Sequence, residues 1–267
     1  MFRKILFSSL IIVLAGAVLK GMTLSRAALA SPVTVKKQVA QQVLEATVRI
    51  TMYAPLTDEE GNPRYVRENG QRAIQLTVSE GLGTLARQGS DLLIVTHDHW
   101  HLVTPDLRRV AFHDAGGEPL LELSGKEFLQ LVRYRDSGTM VLTAPTGLAA
   151  SRIPVALDNG SGANRDDIVY LAFRDPDNGQ IGVAAMLVQK ETIYQGRPVS
   201  RLTSLNGELV VEGNSGGGVL YNGKLIGNMW GTIMVEDVSA ADASSPQQTS
   251  FSLAAQLPAE IGSQRNS

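Results

Sequence analysis

The 267-residue sequence contains no cysteine. That excludes disulfide bracing, a thiolate nucleophile, cysteine-ligated zinc and lipid attachment to an N-terminal cysteine, so the fold must hold by core packing. Charge of one sign is lacking too. The 24 Lys and Arg against 26 Asp and Glu leave a net charge of −2, and no basic block stands out. This speaks against nucleic acid as a partner. Long helical patterns are few. Histidine is scarce, with His97, His99, His101 and His113 as the full set, and none of them follows the glycine-rich segment around residue 215.

What is present begins with a targeting segment. Arg3 and Lys4 precede the apolar run Ile5 to Leu19, and Ala28-Leu29-Ala30 offers a small-residue cleavage site before Ser31. That is the layout of a secretory signal peptide. Lys20 ends the run short of the ~20 residues that a spanning helix needs. Residues 1–30 are therefore expected to be a signal peptide or, if uncleaved, an N-terminal anchor. Contact with a membrane would come only from a retained segment. Either way the rest of the chain is expected outside the cytoplasm, secreted or anchored.

The remainder reads as short strands between turn signals. Ala46 to Tyr53 and parts of Ile74 to Ser79 alternate with period two. Gly81 to Ala86, Asp91 to Thr96, Val110 to His113, Leu120 to Leu123 and Met140 to Thr143 follow. A second set comprises Ile168 to Phe173, Gly182 to Gln189, Val199 to Thr203, Glu208 to Val211 and a pair flanking Asn222-Gly223. Evenly spaced short strands of this kind predict an all-β sandwich or barrel. Asp158 to Asn164 and Ser239 to Thr249 read as loops, and Leu253 to Ile261 as a C-terminal helix. The length suits two units of roughly 100 residues each.

The segment Val211-Glu212-Gly213-Asn214-Ser215-Gly216-Gly217-Gly218-Val219-Leu220 carries the chemistry. One serine sits in a glycine-rich bend between two apolar runs. Such a bend lets backbone N–H groups converge on a developing oxyanion while it presents a hydroxyl. The letters also satisfy the Gly-x-Ser-x-Gly strand-to-helix elbow of α/β-hydrolases, and a plain hairpin turn is a further reading. The elbow fails on two counts. Its base follows the serine, whereas no histidine follows Ser215. Its helix follows as well, whereas Val219 to Gly227 reads as strand, Asn-Gly turn, strand. The order left is His, then Asp, then Ser on a β scaffold.

These residues resemble the trypsin-like (chymotrypsin-fold) serine proteases, of a bacterial type without disulfides. Gly213-Asn214-Ser215-Gly216-Gly217 is similar to their nucleophile motif. Gly223 to Gly231 is similar to the hairpin and Trp-Gly strand that follow it, and Leu93 to His99 to the strand ending in Thr-x-x-His. The likeness runs from about Thr47 to Leu257. It implies an all-β fold of two packed antiparallel six-stranded β-barrels with a short C-terminal helix. Residues 31–147 would form the N-terminal barrel, carrying His and Asp. Residues 148–267 would form the C-terminal barrel, carrying Ser, the helix and a tail, with the division near Ala144 to Ser151.

The resemblance also implies roles. Ser215 would be the nucleophile of a serine endopeptidase, acting through an acyl-enzyme with no cofactor and no metal. His99, rather than His97 or His101, would be its base, because Thr96 sets the Thr-x-x-His spacing. Asp136 would orient the imidazole, with Asp114 in reserve, although Ser137-Gly138-Thr139 departs from the aliphatic run usual after the family's aspartate. The N–H groups of Gly213 and Ser215 would form the oxyanion hole. Leu209 would floor the specificity pocket, with Met229, Trp230 and Gly231 as one wall, which suits a small or medium apolar side chain rather than Lys or Arg. Asn214 is neutral where clip-activated members carry an aspartate, so activation through a new N-terminal amine is not expected. No PDZ-like segment follows, so a Deg identity is not supported. The partner implied is a protein or peptide substrate.

Two other classes remain open. Thr96-His97-Asp98-His99-Trp100-His101 superficially resembles a zinc-hydrolase His-x-His-x-Asp-His run, but Trp100 stands where the aspartate should be and no histidine follows His113,. A non-catalytic binding or scaffold protein on the same fold is the other.

Overall fold

The computed structural model describes residues 34–98, 100, 102–136, 138–158, 162–194, 196–208, 213–237, 247–257 and 261. The segment 1–30, His99, His101 and Leu209 lie outside the described residues.

The fold opens with helix α1 (Lys37–Ala46), whose Val39, Val43 and Ala46 fall on one helical stripe. Val43 and Ala46 are buried. The stripe ends where β-branched residues begin. Thr47 turns its hydroxyl back to the Val43 carbonyl at 2.7 Å, and Arg152 Nη2 donates to the Leu44 carbonyl at 2.7 Å. Two carbonyls of the last turn are thereby satisfied, and the chain continues as β1 (Thr47–Pro55).

Next come β2 (Tyr65–Glu68), β3 (Gln71–Ile74), β4 (Leu76–Gln88), β5 (Asp91–Thr96), β6 (Arg109–His113), β7 (Pro119–Ser124), α2 (Gly125–Leu131), β8 (Val132–Arg135) and β9 (Met140–Thr143). Strands β2 and β3 form an exposed hairpin of their own. The other seven strands pair antiparallel in the order β7-β6-β1-β4-β5-β9-β8. Among the described residues the end strands β7 and β8 do not pair with each other. A helix stands between them in sequence. Ser124 and Glu127 form a capping box that starts α2 directly after β7,. The helix then places Phe128, wholly buried, against Phe112 at 6.4 Å between ring centroids. Side chains of Ile50, Met52, Ile94, Trp100, Met140 and Leu142 complete the core.

The second half comprises α3 (Thr146–Ser151), β10 (Val155–Leu157), β11 (Ile168–Arg174), β12 (Ile181–Tyr194), β13 (Arg197–Ser204), β14 (Gly218–Tyr221), β15 (Lys224–Asp237) and β16 (Gln247–Gln256). Strands β11 to β16 pair antiparallel around a ring, β14-β11-β12-β13-β16-β15 and back to β14, which makes one closed six-stranded barrel. Val169, Leu171, Met186, Leu202 and Met229 pack within its core cluster. Strand β10 pairs parallel with β15 on one side and with β4 on the other. Around it Leu82, Val95, Val141, Val155, Leu220 and Leu225 form a further cluster joining the two sheets.

Two expectations need correction. The resemblance implies two six-stranded barrels; the structure has one closed six-stranded barrel, and the other sheet, of seven strands, is not closed among the described residues. The helix expected from Leu253 is strand β16 through Gln256, and Gln247 to Thr249, read as loop, belong to the same strand. Ala254 and Ala255 favour helix intrinsically. Here they lie in register with Ser200 and Val199 on one side and with Met229 and Asn228 on the other. Two neighbouring ladders outweigh a propensity of a few tenths of a kcal/mol per residue.

Candidate active site

Ser215 is half-buried in the bend that leads into β14. Three backbone bonds and one to a side chain fix this bend between the sheets. Leu82 N–H donates to the Ser215 carbonyl at 2.9 Å, Gly216 N–H to the Met229 carbonyl at 2.7 Å, and Met229 N–H to the Gly217 carbonyl at 2.7 Å. Gly218 N–H reaches Thr84 Oγ1 at 2.8 Å. The glycine after the serine is compulsory. Gly216 has φ +90°, and a Cβ there would lie 2.1 Å from the Leu82 carbonyl oxygen and 2.3 Å from Thr96 Oγ1. The Ser215 hydroxyl rests on the Trp230 carbonyl at 3.2 Å.

Gly213 also has positive φ, +92°. Among the described residues no acceptor pairs with the N–H of Gly213 or of Ser215. Between them Asn214 is wholly buried, and its Oδ1 accepts the backbone N–H of Arg174 at the end of β11. A carboxylate at this buried position would need a cation, which the amide does not. Beside Gly213 a cleft of about 400 Å3 opens, lined by Val78, Glu80, Leu102 and Arg174 among others.

Asp136 sits where β8 gives way to the turn before β9. Its Oδ1 accepts the N–H groups of Gly138 and Thr139, each at 2.7 Å, and its Oδ2 accepts the Tyr134 hydroxyl at 2.6 Å. The aspartate's own side chain thus holds the backbone of Gly138 and Thr139, just after it in the sequence,. The turn is fastened across to the closed barrel. Thr139 Oγ1 donates to Asn228 Oδ1 at 2.7 Å, and Asn228 Nδ2 donates to the Gly138 carbonyl at 3.0 Å. Asn228 is fully buried and immediately precedes Met229, which holds the serine bend. One stretch of β15 therefore anchors both Asp136 and Ser215.

The loop after β5 is tied to the same region. Thr96 Oγ1 donates to the Leu82 carbonyl at 2.6 Å. His97 is buried and stacked on Trp100 with ring centroids 4.1 Å apart, as a structural histidine would be. Asp98 receives Arg135 Nε, and Arg135 Nη1 donates to the Val103 carbonyl at 3.3 Å. Asp98 and Arg135 directly precede His99 and Asp136 in sequence.

The remaining sequence candidates are placed as follows. The Met229 side chain is closed to solvent in the barrel core, and its backbone holds the serine bend. Trp230 is nearly buried, edge-on to Tyr194 at 5.4 Å. Gly231 has open space where a side chain would be. Asp114, the reserve acid, closes the β6–β7 turn through the Glu118 N–H at 2.9 Å. Sequence reasoning missed Asn228, Thr139, Arg135 and Arg174. Asn228 alone left a signal, as a lone amide inside the apolar run Leu225 to Trp230.

The chain is similar in structure to chymotrypsin-fold serine proteases. The Rv3671c protease in its inactive form is 16% identical with a TM-score of 0.49, over 88% of this chain and 96% of that one. A mutant of Rv3671c from M. tuberculosis H37Rv, also in the inactive form, is 16% identical at a TM-score of 0.48, over 88% and 93%. The HtrA-type protease AlgW with tripeptide is 13% identical at 0.47, over 81% of this chain and 57% of that one. No family model matches the sequence, and no curated protein is significantly similar to it.

Proposed function

We propose that this chain is an exported serine endopeptidase in which Ser215, His99 and Asp136 form the catalytic triad. The observation that carries the reading is the bend at Ser215. A half-buried hydroxyl is locked between two sheets beside two backbone N–H groups with no acceptor among the described residues, and Asp136 is fastened to the strand that holds the bend.

In the proposed reaction His99 takes the hydroxyl proton as Ser215 Oγ attacks the scissile carbonyl. A rotation about the serine Cα–Cβ bond frees Oγ from the Trp230 carbonyl, a change between staggered rotamers. The oxyanion is received by the N–H groups of Gly213 and Ser215. Asp136 fixes the imidazole tautomer, and the imidazolium returns its proton to the leaving amine. Water then hydrolyses the acyl-enzyme by the same path. A small or medium apolar residue before the scissile bond suits Leu209 and Gly231. The basic-then-apolar segment before Ser31 supports export.

A fluorophosphonate probe on wild type and Ser215→Ala tests this, with the labelled peptide mapped and casein turnover measured in parallel. Labelling confined to Ser215, lost together with turnover in the variant, is expected. Turnover unchanged by Ser215→Ala would refute the peptidase. A pure wild-type protein neither labelled nor active would instead make the fold a binding scaffold.

A further inference from the structure

Residues 57–75 stand outside both sheets. The chain leaves β1, makes a small turn closed by the Thr57–Pro63 bridge, and then forms the hairpin of β2 and β3. Three backbone bonds lock the hairpin's base: Leu56 N–H to the Gln75 carbonyl at 2.8 Å, Gln75 N–H to the Arg64 carbonyl at 2.9 Å, and Arg64 N–H to the Leu56 carbonyl at 2.7 Å. At its tip Asn69 and Gly70, with φ of +49° and +79°, make the two-residue turn that suits the twist of antiparallel strands,. The segment is thus shaped at both ends, yet every residue from Glu59 to Arg72 is exposed. A two-stranded hairpin with nothing packed on it is marginal in water.

Its surface is both apolar and charged. Of the eight large hydrophobic side chains exposed among the described residues, Tyr65, Val66, Ile74, Leu76 and Val78 fall on this hairpin and the start of β4. The register sets Tyr65 opposite Ile74 and Arg67 opposite Arg72, so these four share one face,. Like charges directly opposite one another on a hairpin are destabilising. Arg72 lies over the Tyr65 ring at 3.7 Å, and among the described residues neither arginine has an acidic partner. The carboxylates lie at the other end. Asp58 closes its own turn, accepting the N–H groups of Glu60 at 3.1 Å and Asn62 at 2.8 Å. Glu59 and Glu60 are left exposed, without a cation among the described residues.

We propose that this face is the interface between two copies of the chain, related by a two-fold axis through the apolar middle of the hairpin. Charge selects the occupant. Antiparallel apposition brings Arg67 and Arg72 at the tip of each hairpin onto Glu59 and Glu60 at the base of the other, with Tyr65 and Ile74 of both copies between them. A parallel apposition would instead set arginine on arginine. An anionic membrane fits less well. Over residues 57–75 the four carboxylates of Asp58, Glu59, Glu60 and Glu68 outnumber the three arginines Arg64, Arg67 and Arg72. The dimer does not depend on Ser215 being a nucleophile.

Sedimentation and light scattering on the purified protein, up to about 100 µM, test the proposal. A dimer is expected whose dissociation constant rises about tenfold from ~50 to ~500 mM salt, because its exposed ion pairs are screened. Arg67→Glu with Arg72→Glu should give a monomer, and so should Glu59→Lys with Glu60→Lys. Mixed in equal amounts, the two monomeric variants should form a heterodimer, since each tip then again faces a base of opposite charge. A variant that had merely unfolded would not be rescued in this way. Tyr65→Ser should weaken the dimer about tenfold whatever the salt, through lost apolar contact. A wild type that stays monomeric at low salt overturns the proposal. So does a dimer that both reversals leave intact, or a mixture of the two variants that fails to associate. Binding of the wild type to phosphatidylglycerol vesicles, lost with the arginines and without any dimer, also overturns it and assigns the face to a membrane.

Discussion

Thr139 and Asn228, one on each sheet, are joined by a 2.7 Å hydrogen bond between fully buried side chains, and the amide of the same asparagine holds the Gly138 carbonyl. Asn228→Leu leaves a buried hydroxyl and a buried carbonyl without partners. A loss of about 2–4 kcal/mol in denaturant unfolding is expected, since each orphaned group costs about 1–3 kcal/mol. Peptide turnover should fall with it, because the Asp136 turn loses its mooring. A stability change below ~0.5 kcal/mol would show the clasp to be incidental.

Gly216→Ala forces a methyl into the Leu82 carbonyl. Backbone must move on both sheets, and the positive φ adds about 1 kcal/mol or more of strain. The variant is expected to be destabilised by at least ~3 kcal/mol or recovered only as aggregate. Soluble yield and thermal unfolding check this. A wild-type melting curve would contradict the packing described for the bend.

Arg135 bonds Asp98, and these residues precede Asp136 and His99. Arg135→Ala is expected to lower kcat about 10- to 100-fold with little change in KM, because small misplacements of catalytic groups are costly. The Asp98 side chain is only 9% exposed, so the loss of this partner also costs about 1–3 kcal/mol and melting should fall, but by too little to unfold the protein at assay temperature. The double exchange Asp98→Arg with Arg135→Asp should restore part of the rate. An unaltered kcat in Arg135→Ala removes the pair from any positioning role.

The Ser124 hydroxyl, and after it the Ser124 backbone N–H, holds the Glu127 carboxyl below its ordinary range. A folded-state pKa depressed in this way adds stability above the unfolded carboxylate pKa and loses it as pH falls through the folded value. Glu127→Ala should therefore melt below wild type at neutral pH, and the two curves should converge as the pH falls through the lowered folded-state value,. A gap that persists in acid would assign the effect to helix propensity instead of the capping box.

Much of the strand content was legible because alternating apolar residues and the Asn222-Gly223 turn report directly on half-buried antiparallel pairing. β10 was not, since three residues carry no period. Helix α1 was passed over because its single stripe of Val39, Val43 and Ala46 is thin beside the strand that follows. At the site, the serine bend was readable from its glycines, which answer to local backbone demands. The Thr139–Asn228 clasp joins residues 89 apart in sequence. No local pattern announces such a contact, which exists only once two sheets have met. The inward placement of the Met229 side chain likewise depends on how the barrel closes.

β10 receives one parallel neighbour from each half of the chain. Its bonds need both flanking strands, so disruption of either sheet removes part of them. Pairings between segments so distant in sequence are of the kind that slows folding. In a polypeptide without covalent cross-links, this three-residue splice is where hydrogen bonds of the backbone carry one sheet over into the other.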